Sequence, residues 1–102
     1  VASSPLPDDQ VLIGAPQTGA TDLYEGDGWS VGVWTHSAGT STDVEVDEVF
    51  VVLEGRADIA VEGGASFTIG PGDAVVLAHG DRTTWTIHEP LRKLYVTLPT
   101  AP

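Results

Sequence analysis

No cysteine and no methionine occur in the 102 residues, and Lys and Arg number 4 against 15 Asp and Glu. The missing thiols exclude disulfides, thiolate zinc sites and a cysteine nucleophile. The basic set is Arg56, Arg82, Arg92 and Lys93, too small for the phosphate-neutralising stripe of a nucleic-acid-binding protein or for attraction to an anionic bilayer. Neither nucleic acid nor membrane is an expected partner. No apolar run approaches the ~20 residues of a membrane span, and the opening Val-Ala-Ser-Ser-Pro lacks the basic and apolar regions of a signal peptide. A soluble, cytoplasmic protein is expected.

What the chain does have is a formal net charge of −11 together with 41% hydrophobic residues, the composition of one acidic globular domain. A domain of this size buries only about 65% of its unfolded surface. It should fold alone, although a second copy would add to that burial. Repulsion lowers the local concentration of strongly anionic ligands around such a protein, which favours neutral or cationic ones.

Val, Ile and Thr supply more than a quarter of the residues, and no window holds apolar residues at helical spacing for three turns between its Gly and Pro. The pattern predicts an all-β fold. Residues 1–28 carry three of the seven prolines and read as an irregular arm with one short strand at Gln10 to Ile13, packing across the domain or across a partner. Residues 29–102 read as seven strands of a sandwich or small barrel, at Trp29–His36, Val44–Leu53, Arg56–Val61, Ala65–Ile69, Ala74–Leu77, Thr83–Ile87 and Lys93–Leu98. Glu62-Gly63-Gly64 predicts a tight hairpin, because glycine supplies the positive φ of primed turns.

Glu48 followed after six residues by Gly55, and Gly70-Pro71-Gly72-Asp73 followed by Gly80, resemble the two motifs of the cupins. Gly32-Val33-Trp34, the 47–55 and 70–76 runs, and residues 84–95 resemble more narrowly the branch containing the ureidoglycine aminohydrolase cupin domain and the ethanolamine-utilisation cupin. The resemblance spans about residues 29–98 and implies a double-stranded β-helix, a jelly-roll barrel, often dimeric, with its site in the wide mouth. Gly55, Gly70, Gly72 and Gly80 fall where strands must reverse or bend.

Metal-binding cupins carry two His at alternate strand positions, the first-motif Glu and a second-motif His. By that spacing the Glu is Glu48, but the His positions fall on Ser41, Asp43 and Thr83. An oxygen-only remnant suits a hard cation better than iron, zinc or copper, so neither a transition metal nor any other cofactor is expected. In this branch the Glu45 position is more often aromatic and the Asp43 position often apolar, and the chain departs from both.

The candidate working set combines Glu48, Tyr95 and Lys93 as catalytic groups with Trp34, His36, Asp43, Glu45, Thr83 and Trp85 as ligand-binding ones. Glu48 is chosen because a carboxylate inside a barrel is costly without a partner, which makes it a candidate for acid/base work. Lys93 is its plausible partner, although Arg92-Lys93 reads equally as a solvated pair. Thr83 and Trp85 share a strand face by alternation, as do Lys93 and Tyr95. The plainer alternatives are core packing for the tryptophans, a structural hydrogen bond for Glu48, and a partly exposed strand end for His36. His79 and His88 read as surface residues. Alternation places Asp43, Glu45 and Asp47 on one face and Glu48 on the other unless a turn or bulge near Asp47 resets the parity. Three functions stay open: a pocket binding a small polar metabolite, hydrolysis or lyase chemistry on a small nitrogen-containing or carboxylated metabolite, and a non-catalytic sensing or assembly domain.

Overall fold

The computed structural model describes residues 3–99. Nine strands follow in order: β1 (Ser4–Pro5), β2 (Val11–Ile13), β3 (Gln17–Gly26), β4 (Trp29–His36), β5 (Gly39–Val44), β6 (Glu48–Val61), β7 (Ser66–Ile69), β8 (Ala74–Leu77) and β9 (Arg82–Thr97). A single 3-10 turn, Asp8–Gln10, stands between β1 and β2. Every pairing is antiparallel, and two long strands organise the rest. The first half of β9 lies between β5 and the second half of β6; its second half lies between β4 and the first half of β6. The result is two sheets, β1-β3-β4-β9-β6-β8 and β2-β5-β9-β6-β7, joined through the bends of β6 and β9. This is the expected all-β jelly-roll barrel.

The bend in β6 has an identifiable cause. Glu48, Phe50 and Val52 point inward in its first half, whereas Ala57 and Ile59 do so in its second. An inward set that changes from even to odd positions requires an extra residue, and the β6–β9 register shifts between Val52 and Ala57. Gly55 sits there with φ of +93°, a conformation that only glycine enters without strain. On β9, Trp85, Ile87, Leu91 and Lys93 keep one parity through the bend at Glu89-Pro90. Phe50, Val52, Ile59, Leu77, Trp85 and Leu91 form the centre of the core between the sheets.

The structure departs from the sequence reading at β5, since residues 39–43 fall between two expected strands and the strand expected from Val44 begins only at Glu48, and in three further places. Residues 17–26 are not irregular arm: they form β3, which pairs along its length with β4. The connection between them is Asp27-Gly28, with φ of +53° and +83°, the two-residue primed turn that matches strand twist. The arm therefore packs on its own barrel, β1 on the edge of β3 and β2 on the edge of β5. Second, the two expected strands on either side of Glu54-Gly55 are the single bent β6, and those on either side of Pro90 are the single bent β9. Third, Gly70 has no positive φ and nothing near its Cα that a side chain would meet. Its backbone N–H donates to Asp73 Oδ2 at 2.8 Å, which closes the turn. The hairpin at Glu62-Gly63-Gly64 forms as expected, with Val61 N–H donating to Ala65 O at 2.9 Å.

Candidate functional site

The inward faces of β4, β5, β6 and β9 leave a cavity of about 130 Å³ at one end of the barrel, whose mouth is crossed by the arm at Leu6 and Gln10. Gln10 is fastened there by its side-chain amide, which donates to Thr42 O at 3.1 Å. At the floor lies a buried ion pair: Lys93 Nζ donates to Glu48 Oε2 at 2.7 Å, and the two residues are 5% and 8% exposed. Three rings surround the ammonium, with centres 4.3 Å (Phe50), 4.6 Å (Trp34) and 4.9 Å (Trp85) away. Their negative faces compensate for part of the hydration that the ammonium loses.

Beside this pair stands a second network. Glu45 is 7% exposed, and its Oε2 accepts from the Thr83 hydroxyl at 2.6 Å and from the Trp85 indole N–H at 3.1 Å. Burial raises the Glu45 pKa, the Thr83 bond opposes the rise, and the neighbouring Asp43 charge adds to it. Asp43 is exposed at the mouth, yet enough water is removed from its carboxyl to raise its pKa as well, against the lowering effect of the Val44 N–H bond. Glu45 and Glu48 face the same space because β5 ends at Val44 and β6 begins at Glu48. The connection resets the strand parity, and Asp47 turns away to accept His79 N–H at 2.9 Å.

His36 is fully inside, at 2% exposure, not at a half-open strand end. Its Nδ1 lies 2.6 Å from Ser37 O and its Nε2 2.8 Å from Ser41 Oγ. A carbonyl only accepts, so Nδ1 carries the proton, and in the neutral ring Nε2 accepts from the Ser41 hydroxyl. Burial lowers the His36 pKa, the Ser37 bond opposes this, and Lys93 lowers it further; the ring is neutral and orients Ser41. Tyr95 closes one side of the cavity, and its hydroxyl donates to Asp22 Oδ1 at 3.3 Å. Burial and that carboxylate raise its pKa, so it presents a neutral phenol.

Eight of the nine residues singled out in the sequence thus line one cavity: Trp34, His36, Asp43, Glu45, Glu48, Trp85, Lys93 and Tyr95. Thr83 is the ninth, buried behind Glu45 and bonded to it. His79 and His88 lie outside, His88 against Asp58 at 2.8 Å. The lining also includes Leu6, Gln10, Thr18, Ser41 and Thr42, which carry no motif of their own; Ser41 alone was reachable, as one of the vacant His positions.

A family model described as the EutQ-like cupin domain matches residues 23–95. The chain belongs to that family. A protein of unknown function from Rhizobium leguminosarum is 28% identical, with a TM-score of 0.74 over 81% of this cupin and 82% of that chain. A Pseudomonas syringae protein of unknown function in the DUF861 family is 26% identical, with a TM-score of 0.75 over 96% of this cupin and 45% of that chain. Clostridium difficile EutQ, at 20% identity, shares the fold with a TM-score of 0.72 over 83% of this cupin and 64% of that chain. No functionally curated protein matches the sequence.

The cupin's donors do not fit the transition metal found in some members of the superfamily. Of the four corresponding residues, Ser41 is committed to His36, Thr83 to Glu45, and Glu48 to the Lys93 ammonium. Asp43 remains, and one carboxylate makes no site for such an ion. Among the described residues no group of three or more His, Asp or Glu is placed to hold a metal.

Proposed function

We propose that this cupin binds a small polar metabolite in its barrel cavity and does so without a transition metal. The observation that supports this most is the Lys93 ammonium on Glu48: the barrel supplies its own cation where a metal would need the carboxylate, and leaves polar groups and indole faces around an open space. Clefts of that kind, apolar walls with a few convergent polar groups, are the usual form of small-ligand sites. The test is metal content by mass spectrometry on protein purified without chelator and again after EDTA, followed by a thermal-shift screen of small polar metabolites. Substoichiometric metal, unchanged melting on EDTA treatment, and a ligand that raises Tm by mass action are the expected results. Stoichiometric iron, manganese, nickel or zinc would overturn the metal-free part.

Glu48, Lys93 and Tyr95 all border the cavity, and that placement favours hydrolysis or lyase chemistry as the second reading. On an identified ligand, turnover abolished in Glu48→Gln marks an enzyme, and binding without turnover marks a binder.

We further propose that the cupin is a homodimer joined through the outer face of the first sheet. Val33, Val49, Val51, Val76, Leu94 and Val96 adjoin one another across four strands there. Val76 is 74% exposed and Leu94 36%. On a chain of net charge −11, a face of valines and leucines whose adjoining carboxylate, Glu54, is paired with Arg92 is where a second copy approaches with little repulsion, and two-fold pairing matches the face to itself. Light scattering is expected to give twice the 10.6 kDa chain mass, falling to the single mass in Leu94→Glu. A wild type that is monomeric at about 100 μM, far above the Kd of specific interfaces, would refute the dimer.

A further inference from the structure

The charges around the cavity do not balance. Asp43, Glu45 and Glu48 face it with Lys93 as the sole cation, because His36 has both ring nitrogens engaged and is neutral. Lys93 is matched to Glu48, and among the described residues neither Asp43 nor Glu45 has a basic partner. Both buried carboxylates are also short of donors. Glu45 and Glu48, 7% and 8% exposed, each use Oε2 alone; among the described residues no protein donor reaches either Oε1. A carboxylate accepts at about four lone-pair positions; neither Oε1 is fully buried, so the unmatched positions open onto the cavity, where its occupant is their source of donors.

What occupies the cavity must therefore bring hydrogen-bond donors, and positive charge completes the match. Water brings donors without charge; a carboxylate ligand brings neither and meets three negative groups. An alkylammonium brings three N–H donors and the missing charge, while its carbon chain lies against the Trp34 and Trp85 indoles that wall the space, surfaces that accept both alkyl groups and cations. A cavity of ~150 Å³ holds a molecule the size of benzene, so about 130 Å³ sets the scale at about six non-hydrogen atoms.

We infer that the ligand is a small protonated amine, its ammonium seated between the free carboxylate oxygens of Glu45 and Glu48 with Asp43 at the mouth. The inference rests on the binding reading above and narrows it to a chemical class. It is tested by calorimetric titration of the intact cupin with three probes of near-equal size: n-pentylammonium chloride, 1-pentanol and sodium butanoate. The ammonium is expected to bind about 10-fold or more tightly than the alcohol, the scale of one charge-assisted hydrogen bond, and the butanoate to bind most weakly. Glu45→Gln keeps an acceptor for Thr83 and Trp85 while removing the charge; it should weaken the ammonium roughly 10-fold and the alcohol much less, narrowing the gap between the two. Should that variant fail to fold by circular dichroism, Asp43→Asn at the exposed mouth carries the same comparison with a smaller loss. An alcohol or butanoate that binds as tightly as the ammonium overturns the inference and leaves the binding reading standing. Failure of all three probes overturns it as well, and if the wider metabolite screen is also blank the binding reading falls with it.

Discussion

Lys93→Met is expected to destabilise the fold by about 3–5 kcal/mol, the usual effect of removing one partner from a buried ion pair. Methionine preserves apolar volume against Phe50, Trp34 and Trp85, so packing changes little. What changes is Glu48, 8% exposed and left without the ammonium now 2.7 Å away. At roughly 4–8 °C per kcal/mol for a domain of this size, Tm should fall by about 12–40 °C. Lys93→Met combined with Glu48→Gln should recover most of the loss, because the pair's net contribution is far smaller than the penalty for halving it. Urea unfolding of the two variants against wild type measures both. A single-variant loss below about 1 kcal/mol would place the pair among solvent-screened ones and contradict its burial.

Gly55→Ala is the second large effect. A Cβ there would stand against the carbonyl oxygen of Pro90 and 2.8 Å from both Glu89 O and the Leu91 Cα, all backbone atoms of β9 that cannot rotate away. Backbone strain of about 1–3 kcal/mol comes on top of an overpacking cost of about 1–3 kcal/mol. Gly63→Ala is the control: its φ is +73°, but nothing lies within 4 Å of the added carbon, so it carries the conformational part alone, about 1–2 kcal/mol. Equal losses for the two variants, read from denaturant midpoints, would show that close contact between β6 and β9 at the bend is not what requires glycine.

The fold was legible where residues are inward or turn-forming. Alternation on β9 placed Thr83, Trp85, Lys93 and Tyr95 correctly, because one face of the strand is buried throughout and a register error would expose all of it. β3 escaped notice because it is exposed along most of its length, with Gly, Thr and Asp where a core strand has Val or Ile. Its one signal, Asp27-Gly28 ahead of an alternating strand, was present and is a hairpin signature in its own right. Gly55 read as a turn because positive φ serves turns and bulges alike; only the partner strand, running unbroken past it, separates the two. The pocket set emerged from parity on β9, from the cupin motif positions of Asp43, Glu48 and Thr83, and from the cost of burying Glu48. Unbroken alternation would have parted Glu45 from Glu48, and the break between β5 and β6 brings them together. Leu6 and Gln10 did not, since nothing local ties residues of an arm to a mouth formed by other strands.

The position of β9 in the sheets also governs how the chain can be made. Strands β4, β5 and β6 are synthesised first, yet each has β9 as a neighbour. Until residues 82–97 leave the ribosome those strands have no common partner, and at about 5–20 residues per second they wait for seconds with apolar edges and faces open. Closure of the barrel is thus a late event, set by the arrival of one strand, and it is during that interval that a nascent chain of this kind is most exposed to pairing with its neighbours on the same message.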